Sequence, residues 1–152
     1  MFKDIKMSEQ RMGDFRKTQI GISLSLDLSV KVLTTGHWPN ESRDPSAQNQ
    51  TLSRESFMTI PPMIKNCMSI YKQYYLSKFS GRQLHWKLNQ GYAEVKAQIG
   101  QNGQKRYDFS VSTYQMCVMM LFNESPQINY HSILESMQIS DTELKPHLIP
   151  LL

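Results

Sequence analysis

The chain has 152 residues, 39% hydrophobic and 20% charged, enough for one hydrophobic core and short for two, so one compact domain is expected. The net charge of +4 is scattered in ones and twos, which permits an acidic partner without pointing to one. Cys67 and Cys117 have no Cys or His at zinc-ligand spacing, no apolar run approaches the roughly 20 residues of a membrane span, and "MFKDIKMSEQ" is too charged for a signal peptide. A reduced, soluble protein of the cytoplasm and nucleus is the expectation.

In chain order, the first helix is expected to begin at Ser8, a good N-cap residue with Met7 and Met12 placed as a hydrophobic staple. From Ile22 to Val32 every second residue is apolar (Ile22, Leu24, Leu26, Leu28, Val30, Val32), the period of a strand with one wet face. Gly36 and Pro39 close it, and the polar stretch 40–59 reads as a surface loop. Pro61 and Pro62 suit a helix start, after which Ile64, Met68, Tyr71 and Tyr75 recur at helical spacing, with Cys67 and Tyr74 widening the stripe. Gly81 is placed to end that helix.

Leu84, Trp86 and Leu88 alternate next, then Ala93 to Ile99 beyond the turn "NQG", then Tyr107, Phe109 and Val111 beyond "GQNG". The pattern predicts a three-stranded antiparallel meander. Ser112 with Gln115 forms a capping-box pattern ahead of "YQMCVMMLF", which is apolar nearly all round and is expected at the centre of the core. Asn129 is positioned to cap a helix through Met137, and Ser140 with Glu143 to cap a last helix that Pro146 should interrupt early. Helices and strands in this order give an α+β fold.

Little in the sequence carries chemistry. His37, His85, His131 and His147 have no i, i+4 His partner and no H-E-x-x-H context, and neither a G-x-S-x-G elbow, a P-loop nor a G-x-G-x-x-G is present. No catalytic residue, metal site or cofactor follows. Met116, Met119 and Met120 read as core rather than as an adaptable groove. "YHSILESMQISDTELKPHL" has the outline of a helix-turn-helix, but its second helix offers Asp141, Glu143, Lys145 and Pro146 where base reading needs basic or amide side chains. In "FSGRQLHWKL", Leu84, Trp86 and Leu88 are expected to face the core, with Arg82 and His85 outward, at a helix-to-strand corner.

Four blocks nonetheless resemble one family when read together: "MFKDIKMS" at 1–8, "DLSVKVLTTGHWP" at 27–39, "YYLSKFSGRQLHW" at 74–86 and "FSVSTYQMCVMMLFNE" at 109–124. They are similar to the cullin homology domain, with the cullin-3 branch as the best fit, and the similarity fades after Asn123. The resemblance implies the tail of the family's helical bundle at 1–26, an α/β region with a small, mostly antiparallel sheet at 27–124 including the loop at 40–59, and divergent C-terminal helices at 125–152. It also implies a non-catalytic scaffold part of a ubiquitin ligase, binding a RING-box protein that adds a strand to the sheet. The family's adaptor-binding repeats and the segment with the modifier-accepting lysine are expected to be absent from this chain. Leu28, Val30, Lys31 and Val32 are the candidate docking edge, with Arg82 and Trp86 as further candidate contacts. No cofactor, nucleic acid or membrane partner is implied. Two readings compete: a basic nucleic-acid-binding module, and a degenerate cullin fragment with no partner left.

Overall fold

The computed structural model describes residues 2–34, 58–100 and 105–151. The core expected from the chain's length is divided between two compact units, Met1–Arg54 with Pro62–His85, and Glu55–Pro61 with Trp86–Leu152.

The first unit rests on two long helices. Helix α1 (Phe2–Arg16) carries Ser8, Met12 and Phe15 on one face, and all three are buried. It begins six residues before the expected cap: nothing from Phe2 to Met7 breaks a helix, and Asp4 in the first turn complements the N-terminal dipole. Met7 is 47% exposed and Met12 is buried, so the two form no staple. Thr18 then starts a second, one-turn helix, α2 (Gln19–Ile22), by accepting a hydrogen bond from the Gly21 N–H at 3.0 Å and donating to the Phe15 carbonyl at 2.6 Å. Gly21 packs so closely on that carbonyl that a Cβ there would collide with it.

The strand expected over 22–32 is not formed. Ile22 belongs to α2, Ser25 and Leu26 lie in a bend, and 27–34 joins no ladder among the described residues. The alternation still marks the buried face correctly: Leu24, Leu26, Leu28, Val30 and Val32 are wholly or partly buried while Ser25, Asp27, Ser29 and Lys31 are exposed. Period 2 specifies which side chains face inward, and pairing needs a neighbour that the pattern does not encode.

Helix α3 (Pro62–Lys78) buries Cys67, Met68, Tyr71 and Tyr75, the expected stripe. Phe15 of α1 meets Tyr71 edge-on at 5.2 Å and Tyr74 at 4.9 Å between ring centroids, an aromatic packing in favourable geometry. Burial, with Tyr75 beside it, pushes the Tyr71 hydroxyl up to about 12 against the opposing pull of Arg11. Beyond α3, Gly81 has φ +77°, the left-handed conformation that ends helices and favours glycine.

In the second unit the expected three-stranded meander is a two-stranded hairpin. Residues 82–87 form no ladder, and a 3-10 turn at Leu88–Gln90 follows, in which Gln90 and Gly91 donate back to Lys87 and Leu88. These local bonds satisfy backbone groups that a first strand would have offered sideways. Strands β1 (Tyr92–Ile99) and β2 (Lys105–Ser112) pair antiparallel, Tyr92 opposite Ser112 and Ile99 opposite Lys105. Ala93, Val95, Phe109 and Val111 share the inward face.

Ser112 ends β2 and caps α4 (Thr113–Leu121) with the expected box: its hydroxyl accepts from the Gln115 N–H at 3.2 Å and its own N–H donates to the Gln115 side chain at 2.9 Å. Tyr114, Cys117 and Val118 of α4 join Met58, Ile133, Met137 and Leu144 in the core. Burial pushes the Cys117 thiol up to about 11. Helix α5 (Tyr130–Met137) is capped by Asn129 as expected, its side chain accepting from the Ser132 N–H at 2.8 Å. Helix α6 (Asp141–Leu148) departs from expectation by running through Pro146. The proline removes the donor for the Thr142 carbonyl, but both residues are exposed, so no buried group is orphaned and the helix continues until Ile149 donates to Lys145. His147 stacks on Tyr114 at 4.5 Å, places Nδ1 3.3 Å from the Ser112 hydroxyl and accepts from the Gln115 side chain at 3.1 Å through its carbonyl. It therefore locks α6 to the start of α4.

Asp141 clasps α5 to α6: the Tyr130 hydroxyl donates to it at 2.5 Å and the Lys145 ammonium lies 2.6 Å away. Lys145 first and Tyr130 second hold its carboxyl below the ordinary carboxylate range. A depressed carboxylate stabilises the fold fully above its unfolded value and loses that contribution as pH falls through the folded one. Acidification below about pH 4 should loosen α6 in the natural chain, and Asp141→Asn should flatten that acid limb in a pH titration of Tyr130 and His131 resonances.

Candidate partner-binding site

The segment 27–34 owes its position to α1. Ser8 lies on the buried face of that helix, where a hydroxyl must find partners. Its Oγ donates to the Val32 carbonyl at 2.7 Å and accepts from the Val32 N–H at 2.9 Å. One side chain thus satisfies both backbone groups of Val32, as the opposing residue of an antiparallel pair would. Four residues earlier, Arg16 donates to the Leu28 carbonyl at 3.3 Å and pairs with Asp27 at 2.8 Å. Both bonds reach the segment from α1. With Leu28 and Val32 bonded from α1, an extended backbone, whose groups at i and i+2 point to the same side, would turn those of Ser29, Lys31 and Leu33 away from the helix. Among the described residues, those outward groups have no backbone partner.

The candidate residues do not all converge. Leu28, Val30, Lys31 and Val32 lie together, with Val30 buried, Leu28 and Val32 half-buried and Lys31 exposed. An open groove of about 360 Å³ runs beside Leu28 between α1, α2 and the bend, lined by Met12, Phe15, Leu24 and Leu26. Arg82 is exposed in the same unit, with its guanidinium 3.3 Å from the Tyr75 hydroxyl and 5.2 Å from the centre of the Phe79 ring. Trp86 belongs to the other unit and is half-buried rather than a core residue, while Leu84 is buried. His85 is exposed beside Gln83, and His37 lies outside the described residues.

Two participants escaped the sequence reading. Ser8 was legible as a lone polar residue on an apolar stripe with Met12 and Phe15, a pattern that signals a buried hydrogen bond as readily as a cap. Arg11, whose guanidinium sits 4.6 Å over Phe79, left no such signal.

Comparison with known proteins places the chain in a family. A family model described as the cullin alpha+beta domain matches residues 32–152, including both C-terminal helices. The chain is 37% identical over 145 residues to Cullin-3A of Arabidopsis thaliana, covering 95% of this chain and 18% of that protein. It is 34% identical over 153 residues to Cullin-3 of Dictyostelium discoideum, covering 99% and 18%, and 34% identical over 147 residues to Cullin-4A of Homo sapiens, covering 95% and 17%. The chain thus spans less than a fifth of the length of these relatives.

Two substitutions check the assignments. Ser8→Ala leaves the part-buried N–H and C=O of Val32 without their partner and should cost about 1–3 kcal/mol, read as a lower urea midpoint for the first unit. Leu84→Ala should cost about 2–5 kcal/mol and exceed Trp86→Ala, which falls below the roughly 3–5 kcal/mol of a fully buried aromatic. The reverse order in matched denaturation curves would return Trp86 to the core.

Proposed function

Because the chain belongs to the cullin family, we propose that it is a non-catalytic scaffold segment of a cullin-RING ubiquitin ligase, and that it captures a RING-box protein by accepting a strand along residues 27–34. The observation that supports this reading is the one-sided bonding of that segment: Ser8 occupies the backbone groups of Val32 on the α1 side, while the edge formed by Ser29, Lys31 and Leu33 has no backbone partner among the described residues. Strand addition supplies main-chain hydrogen bonds to such an edge and specificity through alternate side chains. It needs no acid, base or nucleophile from the chain.

In this reading 1–26 is the tail of a helical bundle, 27–124 the α/β region that meets the partner, and 125–152 the helices that close it. Arg82 and Trp86 are secondary contacts, as Arg and Trp are favoured anchors at interfaces. Free, buried Cys67 and Cys117 suit a reducing compartment, and the cytoplasm and nucleus are the proposed setting. A nucleic-acid role is disfavoured because Lys145, the one Lys or Arg of α6, is held by Asp141.

The test is co-expression with a RING-box protein and a pull-down. The natural chain should be captured, and it should self-associate when expressed alone because an edge with no backbone partner among the described residues invites pairing. Lys31→Pro removes an N–H that has no backbone partner among the described residues and that the proposed complex uses. It should weaken capture roughly tenfold, about 1.4 kcal/mol, with little change in the melting temperature of the chain. Unfolding of Lys31→Pro, with normal binding by whatever remains folded, would place this strand inside the sheet and move the docking edge to the hairpin.

A further inference from the structure

We propose that Ser80 is a phosphorylation site, presented on the turn after α3 between Lys78 and Arg82, and that its phosphate is held by the guanidiniums of Arg82 and Arg11. Ser80, Gly81 and Arg82 are all exposed, and the left-handed Gly81 turns the chain outward there. No Asp or Glu occurs between Glu55 and Glu94, an interval that contains Lys65, Lys72, Lys78, Arg82 and Lys87. Protein kinases discriminate substrates by the charges around the acceptor. A serine with a basic residue two positions before and two after, and no acid nearby, suits a kinase whose substrate groove is acidic. Such a kinase transfers the γ-phosphoryl group of a nucleoside triphosphate: the Ser80 Oγ–P bond forms, the bond to the β-phosphate oxygen breaks, the diphosphate leaves, and the hydroxyl proton passes to the kinase's own base.

The receiving site is built around Phe79. Arg11 of α1 sits 4.6 Å and Arg82 5.2 Å from the centre of that one ring. Stacking fixes a guanidinium's plane while leaving its N–H edge for an anion. Arg82 uses one nitrogen on the Tyr75 hydroxyl, at a long 3.3 Å, out of five N–H donors in the group. A phosphoserine beside Phe79 brings nearly two negative charges and three acceptor oxygens to these edges. The C-terminal carbonyls of α3 oppose a phosphate at this place, so the sign of its effect rests on the two arginines. With both present it ties α1 to the end of α3; without them it loosens the turn.

The full chain should be incubated with a serine kinase that selects basic flanks and with ATP, followed by peptide mapping and thermal unfolding. Phosphate is expected at Ser80, with at least tenfold less incorporation in Ser80→Ala, and the phosphorylated chain should melt a few degrees higher. Arg82→Lys keeps the flanking charge but not the fork, so Ser80 should still be modified while most of that rise disappears. Arg11→Gln should abolish the rise in the same way without touching the kinase's recognition residues, and it reports the same point should Arg82→Lys fail to fold. Phosphate absent from Ser80 in the folded natural chain, or a melting temperature unchanged or lowered when Ser80 is modified, overturns the proposal.

Discussion

The first unit depends on one hydroxyl. Ser8 gives Val32 both a donor and an acceptor, standing in for the neighbouring strand that segment 27–34 otherwise lacks among the described residues. A buried backbone pair without partners costs more than one ordinary hydrogen bond returns, so this contact decides which edge of the segment faces the helix. Arg16 repeats the constraint at Leu28, and Phe15 between them anchors α1 on Tyr71 and Tyr74 of α3. The docking edge proposed at Ser29, Lys31 and Leu33 rests on these contacts.

The chain spans under a fifth of the length of its cullin relatives, and the proposed binding role asks for little more than that arrangement. The proposed strand addition needs an oriented edge and a rigid support, and both lie within α1, α3 and residues 17–34. The second unit contributes a different kind of rigidity, through capping boxes and the His147 stack on Tyr114 that fasten three short helices behind a hairpin. Helices this short are marginal alone, so they owe their stability to the core around Cys117, Ile133, Met137 and Leu144.

What the sequence disclosed follows the range of the forces involved. Caps at Ser112 and Asn129, the stripe of α3 and the stop at Gly81 depend on residues within a few positions, and all stand where the spacing put them. Pairing does not: alternation at 22–32 and at 84–88 marked inward side chains at Val30 and Leu84 but could not supply a ladder. Ser8 was misassigned because a cap and a buried partner use the same chemistry, and the helix had no breaker before it. Pro146 was over-read, since a proline on an exposed face costs one solvated carbonyl rather than the helix. Of the candidate site, the segment from Leu28 to Val32 was visible in the pattern, whereas the Arg11 contact with Phe79 joins residues far apart in sequence that no local signal links.

The central proposal is that residues 27–34, held to α1 at Leu28 and Val32, accept a partner's strand along Ser29, Lys31 and Leu33. Amide hydrogen exchange resolved by residue tests it directly, in the chain alone and with a RING-box protein bound. The account predicts that the Val32 amide is protected in both states, and that Ser29, Lys31 and Leu33 exchange rapidly alone and slow by orders of magnitude in the complex. Protection of Lys31 in the chain alone, or rapid exchange at Lys31 in a saturated complex, would contradict it.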